Sequence, residues 1–276
     1  MLDVFYSIFA GVIQGLAEFL PISSSGHLLL FHYFTGFDFV DNLSFDVVLH
    51  LGTLAALLIF FWSDLWRYFF AFLNSFRKWD LKNDSNQRLA WYILIATIPA
   101  LFFGYFFDDL IESLFRNPAS VAWVIMIFGL VLYFADKYFA KLKTVEQLNL
   151  GQAFLIGLAQ AFALIPGVSR SGITIVAGLS QKLKRDQAAR FSFLLSVPAV
   201  LAAGGKKTLD LYQMQAFNFS DLLILASGFL VSALVGYLCI KYFLKFLKNH
   251  SLKVFVYYRL ILGILVLFLL AFGFKG

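Results

Sequence analysis

The first group of residues that could carry out chemistry lies near the start of the chain, in the stretch Q-G-L-A-E-F-L-P-I-S-S-S-G-H over Gln14–His27. Gln14 and Glu18 are four positions apart, so a helix would place both side chains on one face. Pro21 ends that helix, and three hydroxyls and an imidazole follow it. A carboxylate inside an apolar segment costs about 3 kcal/mol, which favours a function for Glu18 over packing against a buried donor. The candidate residues here are Gln14, Glu18, Ser23, Ser24, Ser25 and His27.

A second group, P-G-V-S-R-S-G-I-T over Pro166–Thr174, has the same polar character inside an apolar stretch. Arg170 stands between two serines, and a planar guanidinium suits phosphate because it can donate two parallel hydrogen bonds. Backbone amides at the start of the helix that follows would bind the same oxygens. A structural alternative is that Arg170 only pairs with Glu18, and both descriptions hold if that pair forms in the absence of an anion. The candidate anion-binding residues are Gly167, Ser169, Arg170, Ser171, Gly172 and Thr174.

A carboxylate, an imidazole, hydroxyls and an arginine together form a set suited to phosphoryl transfer, where positioning and charge neutralisation provide most of the catalysis. His27 titrates near neutral pH and could act as acid or base, and a serine within its reach could attack phosphorus. Whether Ser23, Ser24 or His27 attacks is left open. Glu18 and Gln14 could bind Mg²⁺ or Ca²⁺, with substrate oxygens and water completing the coordination.

The composition of the chain indicates a membrane protein. Of the 276 residues, 61% are hydrophobic and 14% are charged, whereas soluble domains have roughly 25% charged residues. The apolar runs are continuous rather than alternating, which favours membrane-spanning helices over a barrel. The single cysteine, Cys239, excludes an internal disulfide. The net charge of +6 requires no nucleic-acid partner, because topology explains where the basic residues lie.

The pattern of apolar runs predicts an all-α fold with six spans and two interrupted segments. The interrupted segments, 4–34 and 150–180, each contain proline, glycine and hydroxyl residues in the middle. Irregular backbone at membrane depth is tolerated only inside protein or next to water, so we predict that each is a re-entrant hairpin of two half-helices. The predicted spans are 44–62, 89–107, 119–136, 190–204, 221–240 and 254–273.

The charges of the loops support this topology. The positive-inside rule places the lysine- and arginine-rich loops in the cytoplasm, which works only if neither hairpin crosses the membrane. The opposite loops carry acids, among them Asp38, Asp41 and Asp46, and loop 205–220 with its two lysines is the exception. The basic loops are 63–88, 137–149, 181–190 and 241–253.

This topology divides the single membrane domain, 1–276, into two halves, 1–137 and 150–276. Each half is one hairpin followed by three spans, and the second half is inverted relative to the first. Inverted repeats with broken helices place their site at the repeat interface near the middle of the membrane. We therefore expect the two polar loops to face each other in one cavity, which opens outward because the first hairpin enters from that side.

At the two polar groups the sequence resembles the undecaprenyl-diphosphatase family, the BacA-type bacitracin-resistance proteins. The first family motif has Glu or Gln, three residues, then Glu and F-L-P-x-S-S-x-G-H, and the second is P-G-x-S-R-S-x-x-T. Both motifs stand here in full, over Gln14–His27 and Pro166–Thr174. The resemblance implies a metal-dependent phosphatase that converts undecaprenyl diphosphate into undecaprenyl phosphate and phosphate. Such an enzyme recycles the lipid carrier of cell-wall synthesis in the bacterial plasma membrane and gives resistance to bacitracin.

The resemblance also implies roles for individual residues. Glu18 and His27 match catalytic positions, and Ser24 matches a proposed nucleophile. Position 14 is Gln here where many members have Glu, which leaves more of the metal binding to Glu18. The phosphate-binding loop of the family is matched by Ser169, Arg170, Ser171 and Thr174.

A rival hypothesis is a polyprenyl-phosphate flippase or a secondary transporter, because inverted repeats with broken helices at mid-membrane are also a transporter architecture. A transporter needs a charged site but no nucleophile, so Ser24→Ala distinguishes the two hypotheses. The predicted partners are a polyprenyl diphosphate lipid and the bilayer, without nucleic acid, and a homodimer is left open.

Overall fold

The computed structural model describes residues 2–37, 42–115, 117–214 and 218–275. These residues form α-helices, with no strand among them beyond one isolated bridge between Lys143 and Leu183, so the all-α prediction is confirmed. Asp38 and Asp41, named above as loop acids, lie outside the described residues. The helices are α1 Leu2–Ala17, α2 Ser24–Thr35, α3 Asn42–Phe60, α4 Trp62–Ser75, α5 Ser85–Phe115, α6 Pro118–Tyr138, α7 Leu150–Gln160, α8 Arg170–Ser180, α9 Arg185–Met214, α10 Phe219–Leu247 and α11 Lys253–Ala271, with 3₁₀ helices at Val145–Gln147 and Ala161–Leu164.

Both interrupted segments fold as two half-helices joined by a loop. The first loop connects α1 to α2, and the second connects α7 and the 3₁₀ helix Ala161–Leu164 to α8. Pro21 and Pro166 lie in these loops, and each lacks the N–H group that a continuing helix would need. The predicted break in each segment is confirmed, whereas its re-entry into a membrane stays a prediction.

Most of the six predicted spans coincide with helices that could cross a membrane. Four helices are long and apolar enough to cross a membrane, namely Ser85–Phe107 within α5, and α6, α10 and α11. A fifth span results if Phe45–Phe60 and Trp62–Ser75 are taken as one bent crossing. The predicted span 190–204 lies inside α9, which begins with charged residues, contains Pro198 and is not among the described helices that qualify. The described residues therefore provide four or five candidate spans, and the predicted span 190–204 stays a prediction.

Helix α4 lies where the sequence analysis predicted only a loop. The chain bends by 78° between α3 and α4. Buried Tyr68, Ala71 and Ser75 line one face of α4. Aromatic side chains cover the opposite face, and such amphipathic helices suit the boundary between lipid and water. The exposed aromatic residues of α4 are Trp62, Trp66, Phe69 and Phe70.

The four basic loops lie together at one end of the helices. Asp136, at the end of α6, accepts hydrogen bonds from Arg185 Nε at 2.5 Å and from the amide of Leu252 at 3.0 Å. These contacts join loops 137–149, 181–190 and 241–253. Arg190 pairs with Asp64 at 2.5 Å and adds loop 63–88. The predicted topology places all four loops in the cytoplasm, and it therefore requires them to lie at the same end of the helices.

The helix contacts made by the first half of the chain recur in the second half. Helix α1 packs on α10, and α7, its counterpart in the second half, packs on α5. In the same way α3 packs on α10 and α9 packs on α5, while α6 and α11 pack on each other. Below the first loop, the ring of Phe19 packs edge-on against Phe193, with centroids 5.3 Å apart, inside the largest apolar core. The first loop is thus anchored in a well-packed core by Phe19.

Candidate active site

The loops of the two hairpins are in direct contact. Arg170 Nη2 lies 2.6 Å from Glu18 Oε1, and Ser171 Oγ donates to the carbonyl of Leu20 at 3.0 Å. Both charged side chains are largely buried, with 15% of Arg170 and 7% of Glu18 exposed. The expectation that the two polar groups lie together is confirmed. The pairing of Arg170 with Glu18, considered as a structural alternative, is also present.

The two loops share one local structure where their second half-helices begin. Ser23 and Ser169 are the N-cap residues of α2 and α8, and both have a φ of 78°. Each hydroxyl accepts from the amide three residues further on, at 3.3 Å in α2 and 3.1 Å in α8. A positive φ is uncommon for a residue with a side chain, so its repetition is specific to these turns. The residue after the cap is Ser24 in the first loop and Arg170 in the second.

Glu18 is the centre of the site. Its Oε1 accepts from Arg170, and its Oε2 accepts from Ser24 Oγ at 2.7 Å and from Gln14 Nε2 at 3.2 Å. His50 Nε2 lies 3.6 Å from the same Oε2. One carboxylate thus contacts a cation that suits phosphate and a hydroxyl that could attack phosphorus. The hydroxyl already donates its hydrogen to the carboxylate, which is the arrangement that a base and a nucleophile require.

His27 is held by the first loop and by α11. Its Nδ1 lies 2.7 Å from the carbonyl of Ser23, and its Nε2 lies 2.7 Å from the hydroxyl of Tyr258. A carbonyl only accepts, so in the neutral imidazole Nδ1 carries the hydrogen and Nε2 accepts from Tyr258. The two rings are nearly parallel, with centroids 5.6 Å apart. Both ring nitrogens are engaged, and the hydroxyl of Ser24 is bonded to Glu18 instead.

The remaining residues of the second loop mainly hold its shape. Arg170 Nη1 donates to the carbonyl of Ser192 at 3.3 Å, which fixes the guanidinium from the side of α9. Thr174 Oγ1 donates to the carbonyl of Arg170 at 2.7 Å and lies 2.6 Å from Ser192 Oγ. Gly167 has a φ of 99°, and its carbonyl accepts from Arg259 Nη2 at 2.7 Å. These bonds turn Thr174 toward α9 and Gly167 toward α11.

Three residues of the site were not among the sequence candidates: His50, Tyr258 and Arg259. His50 carries no signal in the sequence, because nothing there places α3 next to the first loop. Arg259 did carry a signal, since it is a charge inside an apolar run, which is the property that singled out Arg170. Tyr258 carried no signal, because tyrosine is common in membrane helices.

Gln14 and Glu18, the residues predicted to bind a cation, suit a metal ion that is bound together with the substrate. Gln14 Oε1 is buried and has no hydrogen-bond partner, and Gln14 lies on the same helix face as Glu18. Over the described residues, no cluster of three or more His, Cys, Asp or Glu side chains could hold a metal ion. The chain would therefore supply one carboxylate and one amide oxygen. Mg²⁺ is commonly bound in this way, with water and substrate phosphates as the other ligands.

The whole chain can be compared with known proteins. The family model described as "Bacitracin resistance protein BacA" matches residues 7–265. A protein named undecaprenyl-diphosphatase from Rubrobacter xylanophilus is 46% identical over 274 residues, which cover 98% of this chain and 99% of the relative. Proteins with the same name from Caldicellulosiruptor bescii and Teredinibacter turnerae are 42% and 44% identical, over 96% of this chain and at least 97% of their own length. The chain therefore belongs to the bacitracin resistance protein BacA family.

Proposed function

We propose that this protein hydrolyses undecaprenyl diphosphate to undecaprenyl phosphate and inorganic phosphate, and so recycles the lipid carrier of cell-wall synthesis in a bacterial plasma membrane. The names of its full-length relatives support this activity. The observation that carries the proposal is that Glu18 contacts both Ser24 Oγ, at 2.7 Å, and Arg170 Nη2, at 2.6 Å. A nucleophile, its base and an anion-binding cation meet on one buried carboxylate. A transporter would not require the hydroxyl.

The diphosphate binds between the two loops in this proposal. Its terminal phosphate replaces Glu18 as the partner of the Arg170 guanidinium, and it accepts hydrogen bonds from the backbone amides at the start of α8. Serines that flank the caps can donate further hydrogen bonds, whereas Thr174 and Gly167 support the loop from behind. The proposed substrate-binding residues are Ser23, Ser25, Gly167, Ser169, Ser171, Gly172 and Thr174.

Ser24 is the proposed nucleophile. Its Oγ attacks the terminal phosphorus, its proton passes to Glu18, and the bond from that phosphorus to the bridging oxygen breaks, so that undecaprenyl phosphate leaves. Water then attacks the phosphoserine, the bond to Ser24 breaks, and inorganic phosphate is released as Ser24 regains a proton. A divalent cation bound by Glu18 and Gln14 would neutralise charge on the phosphate oxygens.

His27 is the proposed partner in proton transfer. Its bond to Tyr258 leaves Nε2 able to take a proton, and its bond to the carbonyl of Ser23 fixes the tautomer. We therefore propose that His27 handles the proton of the second step, after the hydroxyl of Ser24 has been used. Ser23 and His27 stay open as alternatives for the attacking group.

We also propose a place for the polyprenyl chain. Leu16 and Leu20, which flank Glu18, line an apolar groove that continues along Leu238 and Tyr242 of α10 to Phe255 of α11. Leu20 belongs to the first loop, and the other side chains that line the groove are apolar or aromatic apart from Cys239. A long hydrocarbon chain whose head group lies at Glu18 would be buried there, and each buried CH₂ contributes about 0.8 kcal/mol.

We also propose an orientation for the site, supported by the position of the basic loops. They share one end of the helices, and the positive-inside rule assigns that end to the cytoplasm. We propose that the two hairpins are re-entrant, that the halves 1–137 and 150–276 are inverted repeats, and that the site opens outward. The homodimer that the sequence left open stays a prediction, which the mass of the detergent-solubilised protein would test.

The test of the function is phosphate release from a long-chain polyprenyl diphosphate by the purified protein in detergent, with and without EDTA. We expect release by the wild type, loss of release with EDTA, and loss in both Glu18→Ala and Arg170→Ala. A well-folded wild type that releases no phosphate, with or without added Mg²⁺ or Ca²⁺, would refute the phosphatase. Transport of the lipid across vesicles that persists in Ser24→Ala would then favour the rival.

A further inference from the structure

Arg259 is a buried cation in the middle of α11. Only 1% of the residue is exposed, although α11 is one of the most apolar helices of the chain. Arg259 forms no ion pair with any carboxylate in the described part of the chain, and its partners are backbone carbonyls. A buried charge without a counter-ion is costly, so its retention calls for a specific role.

All the hydrogen bonds of Arg259 go to the two loops and to α6. Nε donates to the carbonyl of Ile125 at 2.8 Å, and Nη1 donates to Pro21 of the first loop at 3.0 Å. Nη2 donates to Gly167 of the second loop at 2.7 Å, and both terminal nitrogens share the carbonyl of Val168, at 3.2 and 3.3 Å. One guanidinium therefore joins both loops, and its flat fork suits carbonyls that lie in different directions.

The bonds of Arg259 differ from the other contacts between the loops because they involve no side chain that is proposed to bind the phosphate. The ion pair of Glu18 with Arg170 must open when a phosphate binds to Arg170. Once that ion pair has opened, the described hydrogen bonds that join the loops directly are reduced to the one from Ser171 to the carbonyl of Leu20. Arg259 binds backbone carbonyls of both loops and not the carboxylate, so its bonds need not open when a phosphate binds to Arg170.

The bonds of Arg259 to the carbonyl of Val168 also fix the direction of the next amide, at Ser169, where α8 begins. In a trans peptide the C=O and the N–H point in opposite directions. Because Arg259 binds the carbonyl of Val168, the N–H of Ser169 in the same peptide points away from Arg259. Ser169 and Gly167 both have a positive φ, so the loop between them is an uncommon backbone conformation that needs support.

We propose that Arg259 is a positioning residue that holds the two loops together and directs the amide of Ser169 toward the phosphate. This inference rests on the proposed function, since it assigns a task within that site. The neighbouring Tyr258 acts on the first loop in the same way through its bond to His27. Helix α11 therefore supports both halves of the site from two consecutive residues.

The first variant is Arg259→Lys, which keeps the charge but loses the fork. The matched control is Arg88→Lys, because Arg88 also donates to backbone carbonyls, those of Leu81, Lys82 and Glu146, but at the basic end of the molecule. We would measure kcat, KM, the unfolding midpoint in detergent, and the rise of that midpoint caused by inorganic pyrophosphate. The last measurement reports anion binding without turnover.

We expect Arg259→Lys to lower kcat about 100-fold, the loss typical of a misplacement of about 1 Å in a site. The rise in midpoint with pyrophosphate should shrink as well, while Arg88→Lys changes neither property. Equal kcat and equal response to pyrophosphate in Arg259→Lys and wild type would overturn the proposal. The proposal would also be overturned if kcat and the response to pyrophosphate fell in both variants only in proportion to the fraction of folded protein. Arg259 would then be a structural residue.

A second variant decides the matter if Arg259→Lys does not fold. A methyl group added at Gly129 of α6 would lie 3.2 Å from Arg259 Cβ, so Gly129→Ala crowds the side chain of Arg259 and shifts it by a few tenths of an ångström without changing its chemistry. We expect a folded protein with lower kcat and a weaker response to pyrophosphate, and unchanged values would overturn the proposal. A wild type that responds to pyrophosphate but releases no phosphate would refute the proposed function. The response of Arg259→Lys to pyrophosphate, compared with that of the wild type, would still test the role of Arg259.

Discussion

Glu18 links the two chemical parts of the site within a single residue. Its two oxygens separate the tasks, since Oε1 contacts the guanidinium of Arg170 and Oε2 contacts the hydroxyl of Ser24. A buried carboxylate is stable only when its charge is compensated, and here the compensation comes from groups that also act on phosphate. A change at Glu18 therefore affects both anion binding and attack, whereas a change at Ser24 affects attack alone.

Replacing Ser24 by alanine should separate these two effects. We expect Ser24→Ala to lower kcat by at least about 10³-fold, because the attacking oxygen is removed while the positions of Glu18 and Arg170 are kept. The measurement is single-turnover phosphate release from a polyprenyl diphosphate. The control is Ser25→Ala, which removes an exposed hydroxyl that does not contact Glu18 and should cost at most about tenfold. Equal losses in both variants would contradict the assignment of Ser24.

Sequence reasoning found the residues that belong to long polar motifs and missed those that join the site from elsewhere. Arg170 and Glu18 were predicted because a charge inside an apolar run is costly. The same argument applies to Arg259, but no polar neighbours surround it in the sequence, so it was not singled out. His50 and Tyr258 reach the site only through helix packing, which the sequence of one chain does not specify.

At the scale of elements, the two hairpins owe their shape to short-range effects. Proline breaks each helix, and a serine with positive φ begins the next one. These features follow from local sequence, and for this reason the half-helices were predictable. Helix α4 was not predicted, although its aromatic residues recur at helical spacing, because a basic loop was expected there. The extension of α9 to Met214 was missed for the same reason, since loop 205–220 contains lysines.

The strained cap of α8 leads to a prediction about stability. At Ser169 we expect glycine to be tolerated better than alanine, because glycine adopts a φ of 78° without strain while both substitutions remove the cap hydroxyl. Loss of a serine cap to alanine costs about 1 kcal/mol, and loss to glycine costs a few tenths. Unfolding midpoints of Ser169→Gly and Ser169→Ala in detergent would check the order. An alanine variant as stable as the glycine variant would contradict it.

At the scale of the whole molecule, the distribution of charge predicts which end faces the cytoplasm. The basic loops were recognised from composition alone, and the structure brings them to one end. Over the described residues four or five helices qualify as spans, and the sixth predicted span, 190–204 in α9, stays a prediction. Family membership, also predicted from the two motifs, is confirmed by the match over residues 7–265.

The orientation can be checked by labelling with cysteine. In a Cys239→Ser background, we expect exposed Lys78→Cys and Lys248→Cys to react with a membrane-impermeant maleimide only in inside-out vesicles. Asn117→Cys, exposed at the opposite end of α6, should react only from outside. The unsubstituted Cys239 is buried and serves as the unlabelled control. Labelling of Lys78→Cys from outside would reverse the proposed direction in which the site opens.

The groove proposed for the polyprenyl chain predicts a dependence on chain length. Leu238→Trp places a large side chain in the groove, whereas Leu234→Trp, one turn earlier on α10, places it outside the residues that line the groove. We expect Leu238→Trp to reduce kcat/KM for a long-chain diphosphate about tenfold or more while sparing a short-chain one, because about 0.8 kcal/mol is lost for each CH₂ displaced. A ratio of long to short substrate that is the same in both variants would rule out the groove.

The matching turns at Ser23 and Ser169 allow one backbone shape to serve two tasks in the proposed reaction. Both turns have the same φ and the same cap, and they differ at the next position, where one has Ser24 and the other Arg170. Identical residues at the two places would supply two hydroxyls or two cations, whereas the proposed reaction needs one of each. In that reaction, a difference between two otherwise equivalent turns is therefore the condition for activity.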